Sequence, residues 1–333
     1  TQASASSETV NRSELIATDY HTRGLNPVAC RGRKPYGLPA SSGRMQGTGV
    51  PLATPFDESG DLDTDALADL TEWIVERGVD FIVPCGSNSE AELMTADERA
   101  RAVEIVCEAV PDDVDVLAGT GHPGLRETLD QTERAADAGA DGALVVTPFY
   151  FNHDQDALAD YYRQVADEAS IPIYLYSVPP YTNVVLEPET VGELASHENV
   201  AGMKDSSGNL DRFQHERKLT ESEEFELFVG SGGIYAPALD AGADGGILAL
   251  ANIAPERADE IHRLHRAGDD EAARQLNRRV ADLNRAVTAK YGVPGLKAAM
   301  RYRGAPAGHV RSPHQQADAD AVAALESLVD EYV

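Results

Sequence analysis

Lys204 is the residue whose type and position most directly suggest covalent chemistry. It ends the apolar, β-leaning run 200–203, and a polar Ser-Ser-Gly-Asn turn begins two residues later. Because burial penalises the ammonium ion, a lysine at the end of a buried strand is favoured as the neutral amine. A neutral amine attacks carbonyl carbon, so the expected product is a Schiff base. An isolated lysine here more often snorkels to the surface or pairs with a carboxylate such as Asp205, so the rest of the chain must decide.

Two further segments supply groups that could act with this amine. The apolar run 171–176 ends at Tyr176, and the run 81–85 leads into Gly86, Ser87 and Asn88. A phenol, a hydroxyl and an amide at strand ends can move protons and hold a carboxylate. Taken singly, each of these residues is more typical of a satisfied core tyrosine or a plain turn.

Four motifs, in order and with matching spacing, connect these segments to known enzymes. They are Gly86-Ser87-Asn88-Ser89-Glu90 for the family's Gly-Thr-Thr-Gly-Glu, Thr147-Pro148-Phe149-Tyr150 for Thr-Pro-Tyr-Tyr, Leu175-Tyr176-Ser177-Val178-Pro179 for Leu-Tyr-Asn-Val-Pro, and Gly202-Met203-Lys204-Asp205 for Gly-Ile-Lys-(Glu/Asp). From about Gly47 to its C-terminus the chain therefore resembles the Schiff-base aldolases and lyases that include dihydrodipicolinate synthase, N-acetylneuraminate lyase and 2-keto-3-deoxygluconate aldolase.

The resemblance implies a role for each residue. Lys204 would bind pyruvate covalently, with no other cofactor and no metal, and Tyr176 would be the acid/base, connected through Ser87 to Tyr150 from a neighbouring subunit. The partners would be a small keto acid and an aldehyde, and the assembly a homotetramer built from dimers. The residues that we expect to bind substrate are Gly86, Ser87, Asn88, Tyr181, Ser206 and Ile247.

The departures from the family pattern bear on the substrate. Where dihydrodipicolinate synthase has Pro-Ser-Arg-Thr-Gly, this chain has Pro-Pro-Tyr181-Thr-Asn. A phenol cannot form the bidentate charged pair that arginine forms with a carboxylate. Polar, uncharged groups such as Tyr181, Asn88 and Ser206 suit the hydroxyls of a sugar acid. We therefore predict a carbon–carbon lyase acting on 2-keto-3-deoxy sugar acids such as 2-keto-3-deoxygluconate. The alternative is dihydrodipicolinate synthase in lysine biosynthesis; N-acetylneuraminate lyase and a catalytically silent pyruvate-binding homologue rank lower.

Composition limits the class of protein. The 333 residues, 42% of them apolar, suffice for one large α/β domain or two small ones, and no apolar run approaches the length of a membrane-spanning helix. The formal net charge of −28 makes nucleic acid and anionic membranes poor partners. Cysteines at 30, 85 and 107 have no metal-ligand spacing and are typical of a reduced cytoplasmic protein. An acidic excess with only five lysines suits molar salt, so we expect an extreme halophile.

The pattern of apolar runs predicts an α/β fold, a (β/α)8 barrel with a C-terminal helical bundle. Residues 1–44 carry a net charge of +3 and no periodicity, and we expect a disordered extension there. We assign 45–250 to the barrel and 251–333 to helices packed on it. Candidate strands are 48–53, 80–84, 114–118, 142–146, 172–176, 200–204, 225–229 and 245–248. Candidate helices are 63–78, 95–109, 125–139, 155–169, 187–196, 209–220, 234–242, 256–267, 269–291, 294–302 and 316–331.

Overall fold

Eight parallel strands close into a barrel in the computed structural model, which describes residues 45–333. Each strand pairs with its neighbours in chain order, and β8 closes the barrel against β1. The strands are β1 (Gly47–Val50), β2 (Phe81–Ile82), β3 (Asp115–Gly119), β4 (Gly142–Val146), β5 (Ile173–Ser177), β6 (Val200–Asp205), β7 (Glu226–Val229) and β8 (Gly245–Ile247).

Helices alternate with the strands and cover the outside of the barrel. They are α1 (Thr64–Val75), α2 (Ala96–Ala109), α3 (Leu125–Ala138), α4 (Gln155–Glu168), α5 (Pro179–Thr182), α6 (Pro188–Leu194), α7 (Leu210–Thr220) and α8 (Tyr235–Asp240). Apart from α5, each of these helices begins within one residue of its predicted start. Thr95 caps α2 by accepting from the backbone of Glu98, whose side chain accepts in return from Thr95 N–H.

Two layers of apolar side chains hold the barrel together. One lies between the strands and the surrounding helices, and the other fills the barrel interior. The interior set is Met45, Phe81, Val83, Leu117, Leu144, Tyr174, Tyr176, Val178, Phe228 and Ile247. Because the interior is filled by side chains, the chemistry must take place at the strand ends and their loops.

The remaining helices follow β8 without further strands. They are α9 (Pro255–Arg266), α10 (Asp270–Arg279), α11 (Ala281–Arg285), a π-helical segment (Ala286–Lys290), α12 (Gly292–Tyr302) and α13 (Ala319–Tyr332). No helix among residues 45–333 is long and apolar enough to cross a membrane.

The predicted fold class is confirmed: a (β/α)8 barrel with helices after it. The single helix predicted over 269–291 is instead divided near Val280. There Asn277 uses its side chain to accept from Ala236 N–H and to donate to the carbonyl of Gly232. Helix α5 was not predicted because a run that begins with Pro179 and Pro180 has little helical propensity. The division at residue 250 stays a prediction, and the expectation for residues 1–44 lies outside the described residues.

Candidate active site

Lys204 and Tyr176 are side by side at the carboxyl ends of adjacent strands. In the register of β5 against β6, Tyr176 pairs with Lys204. Both side chains point into the barrel, where they are 5% and 4% exposed. The Nζ atom of Lys204 lies 4.4 Å from the centroid of the Tyr176 ring. The phenol ring therefore forms one wall around the amine.

A second buried lysine shows what distinguishes Lys204. Lys297, on α12, donates from Nζ to the carbonyls of Thr54 and His309 at 2.6 Å and to Glu90 at 2.5 Å. Its three N–H bonds are thus all engaged, although burial lowers its pKa to about 8. Among the described residues, none forms a hydrogen bond with Nζ of Lys204. Within residues 45–333, Lys204 is therefore the buried lysine whose amine is left available for an incoming carbonyl carbon.

The hydroxyl of Tyr176 reaches across the barrel to the loop after β2. Its oxygen lies 3.3 Å from Oγ of Ser87, and either atom can be the donor. Both residues line a pocket with about 540 Å³ of empty space, part of it open to solvent. The phenol of Tyr176 and the hydroxyl of Ser87 are thus a hydrogen-bonded pair along which a proton can move.

Hydrogen bonds made by residues of the turn itself hold Ser87 in place. Ser89 accepts from Gly86 N–H at 3.0 Å and donates to the carbonyl of Leu52. Glu90, at φ 57°, is buried against Lys297. The N–H of Gly86 is therefore occupied by Ser89, and the expected role of Gly86 in binding substrate stays a prediction. Ser87 and Asn88 open the 3-10 turn Ser87–Ser89, so their N–H groups have no partner within it and remain available.

Asn88, Ser206 and Ile247 surround the central pair without lining the pocket. Asn88 is half-buried in the turn beside Ser87. Ser206 follows β6, and its hydroxyl fills the space over Gly230: a Cβ there would lie 1.8 Å from Oγ of Ser206 and 3.1 Å from Cε of Lys204. Ile247 is 1% exposed, packed in the barrel interior with Tyr176.

Tyr181 lies at the mouth of the pocket. It is on α5, lines the pocket and is 64% exposed. Its hydroxyl is placed by the short helix that follows Val178, a helix that Pro179 begins. The structure thus brings Tyr176, Ser87, Gly86 and Tyr181 to one pocket. Lys204 lies beside the ring of Tyr176 but is not among the residues that line this pocket.

Tyr150 is not brought to this pocket within one chain. It lies in the loop after β4, has a φ of 81°, and is 88% exposed. Its ring packs edge-on against that of Phe151, itself 66% exposed, at 5.0 Å. The two aromatic rings therefore form a projecting apolar surface beside the pocket-lining Phe149.

The pocket lining also includes residues that the sequence analysis did not assign to the site, among them Phe149, Glu92 and Arg99. Arg99 is 5% exposed and donates from Nη2 to the carbonyls of Gly119 and Gly121, while its buried Nε has no partner among the described residues. Burial raises the pKa of Glu92, against the opposing effect of Arg99. Phe149 could have been inferred from its place beside Tyr150, whereas nothing in the pattern of α2 marks Arg99.

Two buried carboxyl groups lie next to Lys204 in the chain or on the helix that follows: Asp205 ends β6 itself, and Glu216 is on α7. Asp205 accepts from the backbone and hydroxyl of Ser207 at 2.9 and 2.7 Å, which fixes the loop after β6, and burial raises its pKa. Glu216, on α7, has no exposed surface, and neither of its carboxyl oxygens has a partner among residues 45–333. Burial, and then the charge of Asp205, raise the pKa of Glu216 to about 9. At pH 7 Glu216 is therefore protonated.

Comparison with known sequences places these residues in a family. Residues 44–332 match the dihydrodipicolinate synthetase family. A protein of Halobacterium salinarum named as an uncharacterized DapA-like lyase is 38% identical over 283 residues, covering 85% of this chain and 92% of that protein. A protein of Haloarcula marismortui named 4-hydroxy-tetrahydrodipicolinate synthase is 36% identical over 290 residues, covering 84% and 94%.

Comparison with solved structures gives the same family. A dihydrodipicolinate synthase from Thermotoga maritima superposes with a TM-score of 0.84 at 28% identity, covering 87% of this chain and 99% of that one. YagE from E. coli K12, a member of the dihydrodipicolinic acid synthase family solved in complex with pyruvate, has a TM-score of 0.82 at 29% identity, covering 86% and 98%. The chain therefore belongs to the dihydrodipicolinate synthetase family and is a lyase of that family.

Proposed function

We propose that this protein is a class I pyruvate-dependent carbon–carbon lyase in which Lys204 forms the Schiff base. The observation that carries the proposal is the buried amine of Lys204, without a hydrogen-bond partner among the described residues and 4.4 Å from the ring of Tyr176. The solved relative in complex with pyruvate supports a keto acid as the group that the amine attacks.

The reaction follows from the electron demand of the iminium. Nζ of Lys204 adds to the keto carbon, and loss of water from the carbinolamine gives the iminium. In the cleavage direction the C3–C4 bond breaks, its electron pair enters the iminium to give the enamine, and the C4 hydroxyl loses its proton as the aldehyde leaves. Protonation of the enamine at C3 and hydrolysis of the resulting iminium then release pyruvate and restore the amine.

Tyr176 is the group positioned to exchange these protons. Its hydroxyl is 3.3 Å from Ser87, which provides a second oxygen in the chain of transfer. In this proposal the N–H groups of Ser87 and Asn88, which have no hydrogen-bond partner within their turn, donate to the pyruvate carboxylate. Tyr150 completes the relay in this proposal only from a neighbouring subunit, for which its 88% exposure leaves it available, within a homotetramer of two dimers.

For the aldehyde partner we propose a polyhydroxy aldehyde, so that the substrate is a 2-keto-3-deoxy sugar acid such as 2-keto-3-deoxygluconate. Tyr181 is exposed at the pocket mouth and offers a neutral hydroxyl. Ser206, directly after β6, and Asn88, directly after Ser87, add polar, uncharged groups outside the pocket lining. These groups match sugar hydroxyls better than a second carboxylate.

A second candidate is 4-hydroxy-tetrahydrodipicolinate synthase. It is favoured by the name of the Haloarcula marismortui relative and by Arg99, a cation that lines the pocket. Arg99 could hold a carboxylate in place of the arginine that Tyr181 replaces, although Glu92 lines the same pocket.

A panel of substrates separates these functions. Release of pyruvate from 2-keto-3-deoxygluconate should be efficient in high-salt buffer, while condensation of pyruvate with aspartate semialdehyde should be poor. The reverse ratio of kcat/KM values would establish the synthase. Activity in neither direction, together with pyruvate binding, would identify a silent homologue.

A further inference from the structure

The buried carboxylate of Glu90 connects the turn that carries Ser87 to the helices after the barrel. Glu90 directly follows the 3-10 turn Ser87–Ser89, and its N–H donates to the carbonyl of Ser87 at 3.2 Å. Its side chain has no exposed surface. A buried charge is very costly unless it is paired and hydrogen-bonded, so the partners of this carboxylate show what holds the end of the turn.

Lys297, on α12, is the cationic partner. Its Nζ donates to Oε1 of Glu90 at 2.5 Å and to the carbonyls of Thr54 and His309, each at 2.6 Å. Thr54 lies in the loop after β1, and His309 lies after α12, so one amine connects three segments that are distant in the chain. Burial lowers the pKa of Lys297, while the charge of Glu90 acts in the opposite direction and helps to keep the amine protonated.

The other carboxylate oxygen is bonded by the segment that follows α12. Oε2 of Glu90 accepts from Arg311 N–H at 3.0 Å and lies 2.9 Å from Nδ1 of His314. The guanidinium of Arg311 in turn forms two hydrogen bonds with the carboxylate of Glu98 on α2, and these bonds lower the pKa of Glu98 to about 2. Segment 309–314 is therefore bonded both to the end of the Ser87 turn and to the helix that begins after it.

We propose that Glu90, Lys297 and Arg311 are positioning residues that hold the Ser87 turn in the conformation that binds the substrate carboxylate. The inference rests on the proposed function, in which the N–H groups of Ser87 and Asn88 donate to that carboxylate. A buried ion pair seldom adds stability over an apolar pair of similar volume, so stability alone is a weak reason for this one. Charged hydrogen bonds fix direction, and binding groups need such outer contacts to keep their productive geometry.

The inference gives the region after the barrel a role in substrate binding. Lys297 and Arg311 both lie beyond β8 in the chain, and neither lines the pocket. Substitution of either residue leaves the amine of Lys204 and the phenol of Tyr176 in place. The expected effect is therefore a loss of affinity for the keto acid, with the covalent step still possible.

The test measures borohydride trapping of pyruvate on the full chain, in high-salt buffer, as a function of pyruvate concentration. Lys297→Met removes the three donated bonds and keeps a side chain of similar length. We expect the pyruvate concentration for half-maximal trapping to rise at least ten-fold. Trapping at saturation should stay near one group per chain, because Lys204 is unchanged. Lys218→Met, at an exposed position on α7, is the matched control and should leave the half-saturation concentration unchanged.

Hydrogen exchange reports on the turn without any dependence on pyruvate. The N–H groups of Gly86, Ser89 and Glu90 all donate within the turn. In Lys297→Met these amides should exchange at least ten-fold faster, whereas the amides of β5 should keep their rates. Glu90→Gln keeps the shape of the side chain and removes its charge, so it should show both effects to a smaller degree and decides the question if Lys297→Met does not fold.

Three outcomes would overturn the inference, and they can be told apart. An unchanged half-saturation concentration in both Lys297→Met and Glu90→Gln would remove the positioning role and leave the proposed function standing. Reduced trapping at saturation, with the half-saturation concentration unchanged, would show that the network only stabilises the fold. Absence of trapping in the unaltered protein would overturn the proposed function, and this inference with it.

Discussion

The hydroxyls of Tyr176 and Ser87, 3.3 Å apart, are the pair to which proton transfer is assigned. Tyr176→Phe removes the phenol oxygen and keeps the ring beside Lys204, so we expect kcat to fall by about 10²–10⁴. The KM for pyruvate should change little, because the amine and the turn at Ser87 remain. Steady-state kinetics of the variant, with circular dichroism to confirm the fold, provide the measurement.

Ser87 offers a conservative control for that prediction. Ser87→Ala should lower kcat as well, whereas Ser87→Thr keeps a hydroxyl and should stay close to the unaltered enzyme. A Tyr176→Phe enzyme within three-fold of the original kcat would remove Tyr176 from the proton-transfer role.

Tyr181 is the residue at which the choice of aldehyde can be tested. Tyr181→Arg adds a cation at the pocket mouth, and charged hydrogen bonds to a substrate carboxylate contribute about 1.5–3 kcal/mol. We therefore expect the ratio of kcat/KM for aspartate semialdehyde over glyceraldehyde to rise about 10- to 100-fold. Tyr181→Phe is the control, because it removes the hydroxyl without adding charge. An unchanged ratio in the arginine variant would mean that Tyr181 does not contact the aldehyde partner.

For single residues, the sequence predicts which side chains lie at the ends of strands and predicts little about the others. Lys204 and Tyr176 were identified because parallel strands bring their carboxyl ends together, and the structure pairs them in register. Arg99 was missed because it enters the pocket from the side of α2, where its helical spacing resembles that of any solvated arginine. Side-chain direction from a helix depends on tertiary packing, which spacing alone does not contain.

Helix α7, which follows the strand of Lys204, carries a buried carboxyl group with an unusual pKa. Glu216 on α7 is buried and its pKa is raised to about 9, above its value of 4.5 in an unfolded chain. Below pH 4.5 the group is neutral in both states, so its titration does not change the free energy of unfolding. As pH rises from 4.5 to 9 the unfolded state loses the proton first, so the free energy of unfolding falls. At pH 7 the loss is on the order of 3 kcal/mol.

Glu216→Gln tests this because it keeps the shape and removes the titration. The free energy of unfolding, measured by chemical denaturation from pH 5 to 9, should decline less steeply with pH in the variant than in the unaltered protein. Glu224→Gln, at an exposed position, is the control and should leave the slope unchanged. Parallel pH curves for Glu216→Gln and the unaltered protein would show that Glu216 is ionised in the folded state.

Most elements could be predicted from periodicity, because each helix has a single apolar face and each strand is a short apolar run. The break near Val280 could not be predicted in this way. Asn277, just before it, bonds to backbone groups of another element, and periodicity contains no record of such contacts. The buried ion pair of Glu90 and Lys297 was also missed, since its partners are 207 residues apart in the chain. Sequence distance of that kind leaves no local pattern.

At the scale of the whole molecule, charge is the dominant feature. The formal net charge is −28 at pH 7. At low ionic strength these charges repel one another, and the Debye length shrinks from about 10 Å at 0.1 M salt to about 3 Å at 1 M. Relatives from two salt-loving genera, Halobacterium and Haloarcula, agree with an adaptation to high salt.

We therefore expect Tm to rise as KCl is increased from 0.1 to 2 M, with most of the rise below 1 M, where screening changes fastest. Sucrose at matched osmolality separates this effect from general exclusion of cosolute, because sucrose does not screen charge. A Tm that is flat or falling with KCl would contradict the importance of self-repulsion in this fold.

The most direct measurement of the central claim is the mass of the trapped adduct. Incubation with pyruvate and borohydride should add one reduced pyruvyl group per chain, and peptide mapping should place it on the peptide that contains Lys204. The variant Lys204→Arg should acquire no adduct while keeping its circular dichroism spectrum. An adduct on Lys218, Lys290 or Lys297, or full trapping in Lys204→Arg, would contradict the assignment of Lys204 as the Schiff-base residue.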